Sequence, residues 1–176
     1  MSKKVQMLLY LLFILQTHAE IPNPAFGGNN DQISVRFSQS IRDAGKLEDL
    51  FIFELCYSQP NKFFRLPGRQ NMEFITQRGN GELSKYNQDI IFGLSQDLIS
   101  PAIWRMYAGI NLGIYIKSQV TDRIDSKFTF GERIFLGVRI LNEFRLELSV
   151  RHFSNGSLTH KNSGQNFAGL NTSFNF

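Results

Sequence analysis

A chain of 176 residues has room for one domain of ordinary size. Its net charge of +4 is too mild to point to nucleic acid, and its one cysteine, Cys56, can form no internal disulfide. It opens on Lys3 and Lys4, an apolar run from Val5 to Leu15 and Thr17-His18-Ala19. This is the order of a secretory signal peptide, with cleavage expected after Ala19. The run is too short to cross a bilayer as a helix. Loss of its two lysines lowers the net charge of the remaining chain, 20–176, to +2. No later stretch approaches the ~18 apolar residues of a membrane-spanning helix.

Beyond the signal the dominant period is two, the period of strands with one apolar face. The first set is Ile33, Val35 and Phe37; the second is Phe51, Phe53, Leu55 and Tyr57. Met72 and Phe74 suggest a third. Ile90, Phe92 and Leu94 make a fourth, interrupted by Ile91. The fifth runs from Trp104 to Ile116, and the sixth from Phe128 through Ile134 to Ile140. Phe144, Leu146, Leu148 and Val150 form the seventh. Ala168, Leu170, Phe174 and Phe176, with Thr172 between them, form the eighth.

The opposite faces carry charge, amide and glycine, as in Arg105, Asn111, Gly113 and Lys117 of the fifth set and Arg145, Glu147 and Arg151 of the seventh. A soluble sandwich would bury the apolar faces, whereas a transmembrane barrel turns them to lipid and lines its lumen with the polar ones. Export, long strands and the C-terminal Phe176 favour the barrel. The expected fold is therefore all-β: an eight-stranded antiparallel transmembrane barrel of the outer membrane. An even strand number closes it without a free edge. With both termini periplasmic, the links 4–5 (Ser100-Pro101) and 6–7 (Asn142) are short turns, and the links 3–4, 5–6 and 7–8 are longer outer loops. The link 2–3, QPNKFFRLPGR, is longer than a periplasmic turn needs.

The seventh set ends unexpectedly. Where further apolar residues are due, the sequence has His152 and Ser154, and on the returning strand Asn166 has the parity of Ala168 and Leu170. All three fall on the outward face near the outer rim. A histidine activates a serine nucleophile by taking its proton, and a third group on the other ring nitrogen fixes the tautomer. A lone His at an interface would be an ordinary boundary residue; three aligned polar groups are the parts of a hydrolase.

The segment His152-Phe153-Ser154-Asn155-Gly156, followed by Asn162, Gly164, Asn166 and a strand ending in Phe, resembles the C-terminal motif of PagL-type lipid A 3-O-deacylases. The resemblance covers roughly the last 30 residues and implies an eight-stranded outer-membrane barrel that hydrolyses the 3-O-acyl ester of lipid A. It implies His152 as general base and Ser154 as nucleophile, and an oxyanion hole at Asn155-Gly156-Ser157, with only the backbone N–H of Ser157 available at that position. Asn166 stands where a family member has glutamate. Glu143 and Glu147 have the wrong parity to replace it. An amide oxygen can still accept the imidazole N–H, without the charge.

Lipid A, or lipopolysaccharide, is thus the expected partner in the outer leaflet; no metal, cofactor or nucleic acid is expected, and a homodimer is left open. The rival readings are a non-enzymatic small barrel, adhesive or structural, and a lipid A acyltransferase. His160 reads as a loop residue. Arg42, Lys46, Lys85 and Arg123 read as solvated loop charge that could meet lipopolysaccharide phosphates.

Overall fold

The computed structural model describes residues 30–41, 49–63, 66–80 and 88–176. The expected signal peptide, with Arg42, Lys46 and Lys85, lies outside the described residues. Eight strands follow one another: β1 Gln32–Ser40, β2 Asp49–Phe63, β3 Leu66–Asn80, β4 Asp89–Ile99, β5 Met106–Lys117, β6 Phe128–Arg139, β7 Phe144–Ser154 and β8 Gln165–Asn175. Each pairs antiparallel with the next, and β8 pairs with β1 to close the barrel. The expected all-β, eight-stranded barrel is the observed fold.

The faces are inverted relative to a soluble protein. Phe37, Phe92, Ile134 and Leu148 are each 59–63 % exposed on the outside. Arg36, Glu54, Asp97 and Arg133 are buried inside. In water such an apolar belt would be costly, and in a bilayer it meets hydrocarbon. The strands satisfy their backbone polar groups around a closed ring, as a lipid-exposed sheet must.

The lumen is filled. At its middle, four guanidinium groups meet four carboxylates. Arg36 and Arg151 (2.8 Å) hold Glu54, and Arg151 also reaches Glu73 at 2.8 Å. Arg69 bridges Asp97 (2.7 Å) and Glu147 (2.9 Å), and Arg133 bridges the same two carboxylates at 3.0 and 3.4 Å. Towards the end opposite Gln32 and Asn175, a buried apolar cluster including Tyr115, Ile124, Phe153 and Phe167 packs over this network. Gly131 faces it: a Cβ there would fall 2.4 Å from the Tyr115 ring. Ile91, which broke the alternation of the fourth set, points inward into this cluster.

Three expectations about boundaries are corrected. The long 2–3 link is not a loop: β2 and β3 stay paired out to Phe63↔Leu66. Pro60 and Pro67 are tolerated there because the hairpin outruns its neighbours. The pairing of β1 with β2 stops at Ser58, and that of β4 with β3 starts at Gly68. Neither proline nitrogen is asked to donate to a ladder. Second, the fifth strand starts at Met106 rather than Trp104. Ile103 and Met106 exchange backbone hydrogen bonds at 2.9 and 3.0 Å, so Trp104, at φ 61°, sits in the turn between them. Third, Ile140 lies past β6, in the turn where its N–H donates to Phe144. Apolar residues persist beyond both ladders because they stay exposed at the margin of the belt.

Candidate active site

The register places the polar outward residues side by side. His152 of β7 is opposite Asn166 of β8. Its Nδ1 lies 2.7 Å from Asn166 Oδ1. An amide oxygen can only accept, so the ring carries its proton on Nδ1 and leaves the Nε2 lone pair free to take a proton. Both residues are half-buried, on the face that carries Val150, Leu148 and Leu170.

Ser154, the last residue of β7, lies two positions beyond His152 on the same face and is paired with Phe130 of β6. It too is half-buried. Among the described residues no hydrogen bond joins its hydroxyl to the imidazole. Catalytic hydrogen bonds in empty enzymes are commonly long and tighten when substrate binds.

Gly164 fixes where the ring can lie. It sits at φ 63°, and a Cβ on it would fall 2.5 Å from His152 Cε1 and 3.2 Å from Nε2. The imidazole edge occupies the space that any other residue would fill. The backbone conformation itself favours glycine.

Beyond Ser154 the chain makes a tight turn. Leu158 N–H donates to Asn155 C=O at 3.1 Å, and the two central residues, Gly156 and Ser157, both have positive φ. This is a type I′ turn, which needs positive φ at both central positions; here they are Gly156 and Ser157, with Asn155 at the first corner. Asn155 is buried and holds the turn. Its Oδ1 accepts the Ser157 N–H at 2.9 Å, and its Nδ2 donates to Lys161 C=O at 3.1 Å. Its own N–H donates to Asn162 Oδ1 at 3.0 Å. Of the three residues named for the oxyanion hole, Asn155 and Ser157 therefore have their N–H groups engaged within the loop. The exposed Gly156 packs on the Phe130 ring, which a Cβ would meet at 2.9 Å.

The 7–8 loop is also tied to the 5–6 loop. Ile124 bridges to Asn162, Asp125 N–H donates to Lys161 at 3.1 Å, and Ser163 N–H donates to Arg123 at 2.9 Å. His160 is exposed, and the Lys161 ammonium makes an exposed 3.8 Å ion pair with Asp122. Such a pair contributes little to stability. Among the described residues no three His, Cys, Asp or Glu side chains converge as metal ligands would.

A model of one family, described as "Lipid A 3-O-deacylase (PagL)", matches residues 52–175. The chain belongs to this family. The match takes in seven of the eight strands in whole or in large part, well beyond the C-terminal motif. Among solved structures, the crystal structure of the outer membrane enzyme PagL superposes with a TM-score of 0.58 at 15 % identity, covering 81 % of this chain and 98 % of that one. Neisserial surface protein A, NspA, superposes with a TM-score of 0.55 at 12 % identity, covering 83 % and 96 %. At these identities the likeness is one of fold. No curated protein sequence matches.

One carboxylate beside His152 has no place in the expectations above. Glu132 of β6 shares the outward parity of Phe130 and Ile134, is exposed, and pairs directly with His152. Glu143 and Glu147 do have the wrong parity, since Glu147 points into the lumen, but they are not the only nearby carboxylates. The signal was present in the sequence: position 132 is the one break in the apolar alternation from Phe128 to Val138.

Proposed function

We propose that the protein is an outer-membrane serine esterase that removes the 3-O-linked hydroxyacyl chain from lipid A. Family membership supports the reaction class. The observation that carries the reading is the 2.7 Å contact between His152 Nδ1 and Asn166 Oδ1 on a lipid-facing surface beside Ser154. Polar groups are costly in the lipid-facing belt, so their presence there calls for a functional reason.

In this reading His152 Nε2 takes the Ser154 proton as Oγ bonds to the ester carbonyl carbon. The imidazolium is held by Asn166. Collapse of the tetrahedral intermediate breaks the bond to the sugar oxygen, which receives the proton from His152. A water, deprotonated by the same nitrogen, then attacks the acyl-serine and releases the 3-hydroxy fatty acid. The Gly156 N–H, on the turn just after the nucleophile, is the donor we assign to the oxyanion. Asn155 and Ser157 hold that turn in shape.

We further assign residues 1–19 to a cleaved signal peptide, the chain termini to the periplasmic side and the site to the outer leaflet, where lipid A reaches it laterally. The test is mass spectrometry of lipid A from cells with and without the protein. Loss of one hydroxyacyl mass is expected. A gain of acyl mass would indicate a transferase, and an unchanged spectrum would indicate a barrel without this activity. N-terminal sequencing of the mature protein should begin at Glu20.

A further inference from the structure

Three polar side chains lie in one row across the lipid-facing surface. Glu132 of β6, His152 of β7 and Asn166 of β8 are successive partners in the ladder. The neighbours that continue the row are apolar: Leu112 of β5 pairs with Glu132, and the N–H of Ile41, just past β1, donates to Asn166. The row is therefore a polar island in the belt.

The imidazole has only one of its two needs met by Asn166. A histidine acting as base in acyl transfer becomes cationic, and its partner both orients the ring and balances that charge. The amide of Asn166 orients the ring but brings no charge. Glu132 brings a charge but does not take the Nδ1 proton, which is already bonded. Side chains directly opposite in an antiparallel pair have Cβ atoms about 5 Å apart. At that range, in surroundings drier than water, a carboxylate favours a developing cation strongly.

Glu132 also needs an explanation of its own. It is exposed on the outer face of a strand between Phe130 and Ile134, where a carboxylate is disfavoured. Among the described residues no ion pair involves it, so no structural partnership accounts for it. The lumen carboxylates, by contrast, have cationic partners: arginines for Glu54, Glu73, Asp97 and Glu147, and Lys117 at 3.3 Å for Asp89.

We propose that Glu132 is a positioning residue for this reaction: it supplies, from the neighbouring strand, the negative charge that Asn166 lacks, so that the third-member role is divided between two side chains. The inference rests on the esterase reading above.

The experiment uses the purified, folded full barrel with lipid A in mixed micelles. Folding is checked for each variant by its shift in gel migration on boiling. Glu132→Gln and Glu132→Leu both remove the charge, and Leu suits the lipid face, so at least one folded variant is expected. Each should lower kcat about tenfold with KM little changed, since the charge matters only as the cation forms. Glu132→Asp should restore most of the rate. In an Asn166→Glu background, where a carboxylate sits on the imidazole itself, Glu132→Gln should cost less than about twofold. A folded Glu132→Gln or Glu132→Leu as fast as the parent would overturn the inference and leave the esterase reading intact. So would an equal loss in both backgrounds, or a loss confined to KM. A parent barrel that releases no hydroxyacyl chain would overturn both.

Discussion

His152 Nδ1 and Asn166 Oδ1 are 2.7 Å apart, on adjacent strands and in direct register. The partner is an amide, which fixes orientation without adding charge. A hydrogen bond involving a charged group contributes about 1.5–3 kcal/mol, and a neutral one about 0.5–1.5. Asn166→Ala should therefore slow deacylation about tenfold or more, and Asn166→Glu should keep or raise the rate. Initial rates on folded barrels decide this; an alanine variant as fast as the parent would remove Asn166 from the site.

Ser154→Ala and His152→Ala should each lower the rate by at least about a thousandfold, because the nucleophile and its base act as a unit. Both side chains are on the outer face, so neither contributes to the lumen network, and both variants should still fold. Trimmed lipid A from cells making either folded variant would refute the assignment.

Gly164→Ala tests the seat of the imidazole. The new methyl would lie 2.5 Å from His152 Cε1, at a φ of 63° that strains any residue with a Cβ. The ring must move off Asn166 or the loop must shift. We expect activity to fall at least about tenfold, with the barrel still folded and its resistance to unfolding lowered by about 1 kcal/mol. The two are measured by rate and by urea titration.

The lumen network should respond to the loss of one carboxylate. Glu147→Ala would leave Arg69 and Arg133 with Asp97 alone between them. Removing one partner of a buried ion pair costs about 3–5 kcal/mol. The variant should unfold at clearly lower urea concentration, while the remaining folded protein keeps its activity, since the network lies on the other side of the wall from His152.

Leu148→Arg tests the membrane assignment of the belt. Leu148 is 63 % exposed and lies at mid-strand on the same face as His152. Arginine near the bilayer midplane costs about 2–4 kcal/mol in a barrel of this kind. Refolding yield into vesicles should drop; an unchanged yield would mean that the face does not meet hydrocarbon.

Strand number, the facing of most residues and the meeting of His152 with Asn166 were all legible in the sequence, because a period of two assigns each side chain to a face and a hairpin centred in the 7–8 loop brings position 152 opposite 166. What was not legible depended on what lies beside a strand. Pro60 and Pro67 read as loop residues until the β2–β3 hairpin is seen to extend past its neighbours. Trp104 looked like a strand residue because an exposed turn at the edge of a membrane can be as apolar as the strand it joins. Glu132 was missed for a related reason: parity gave its face, but its nearness to His152 depends on the β6–β7 register. Likewise, nothing in the letters showed that the N–H groups of Asn155 and Ser157 are taken up within their own loop.

The outward facing of His152 and Ser154 also decides what concentration means for such a site. A substrate that stays anchored in the membrane meets it by diffusing in two dimensions, so the governing variable is its surface density and not the amount per volume. Adding inert detergent at constant bulk lipid A would then slow the reaction by dilution within the micelle. In a cell, turnover would follow the crowding of the leaflet: the barrel would work fastest where lipid A is packed most densely around its own wall.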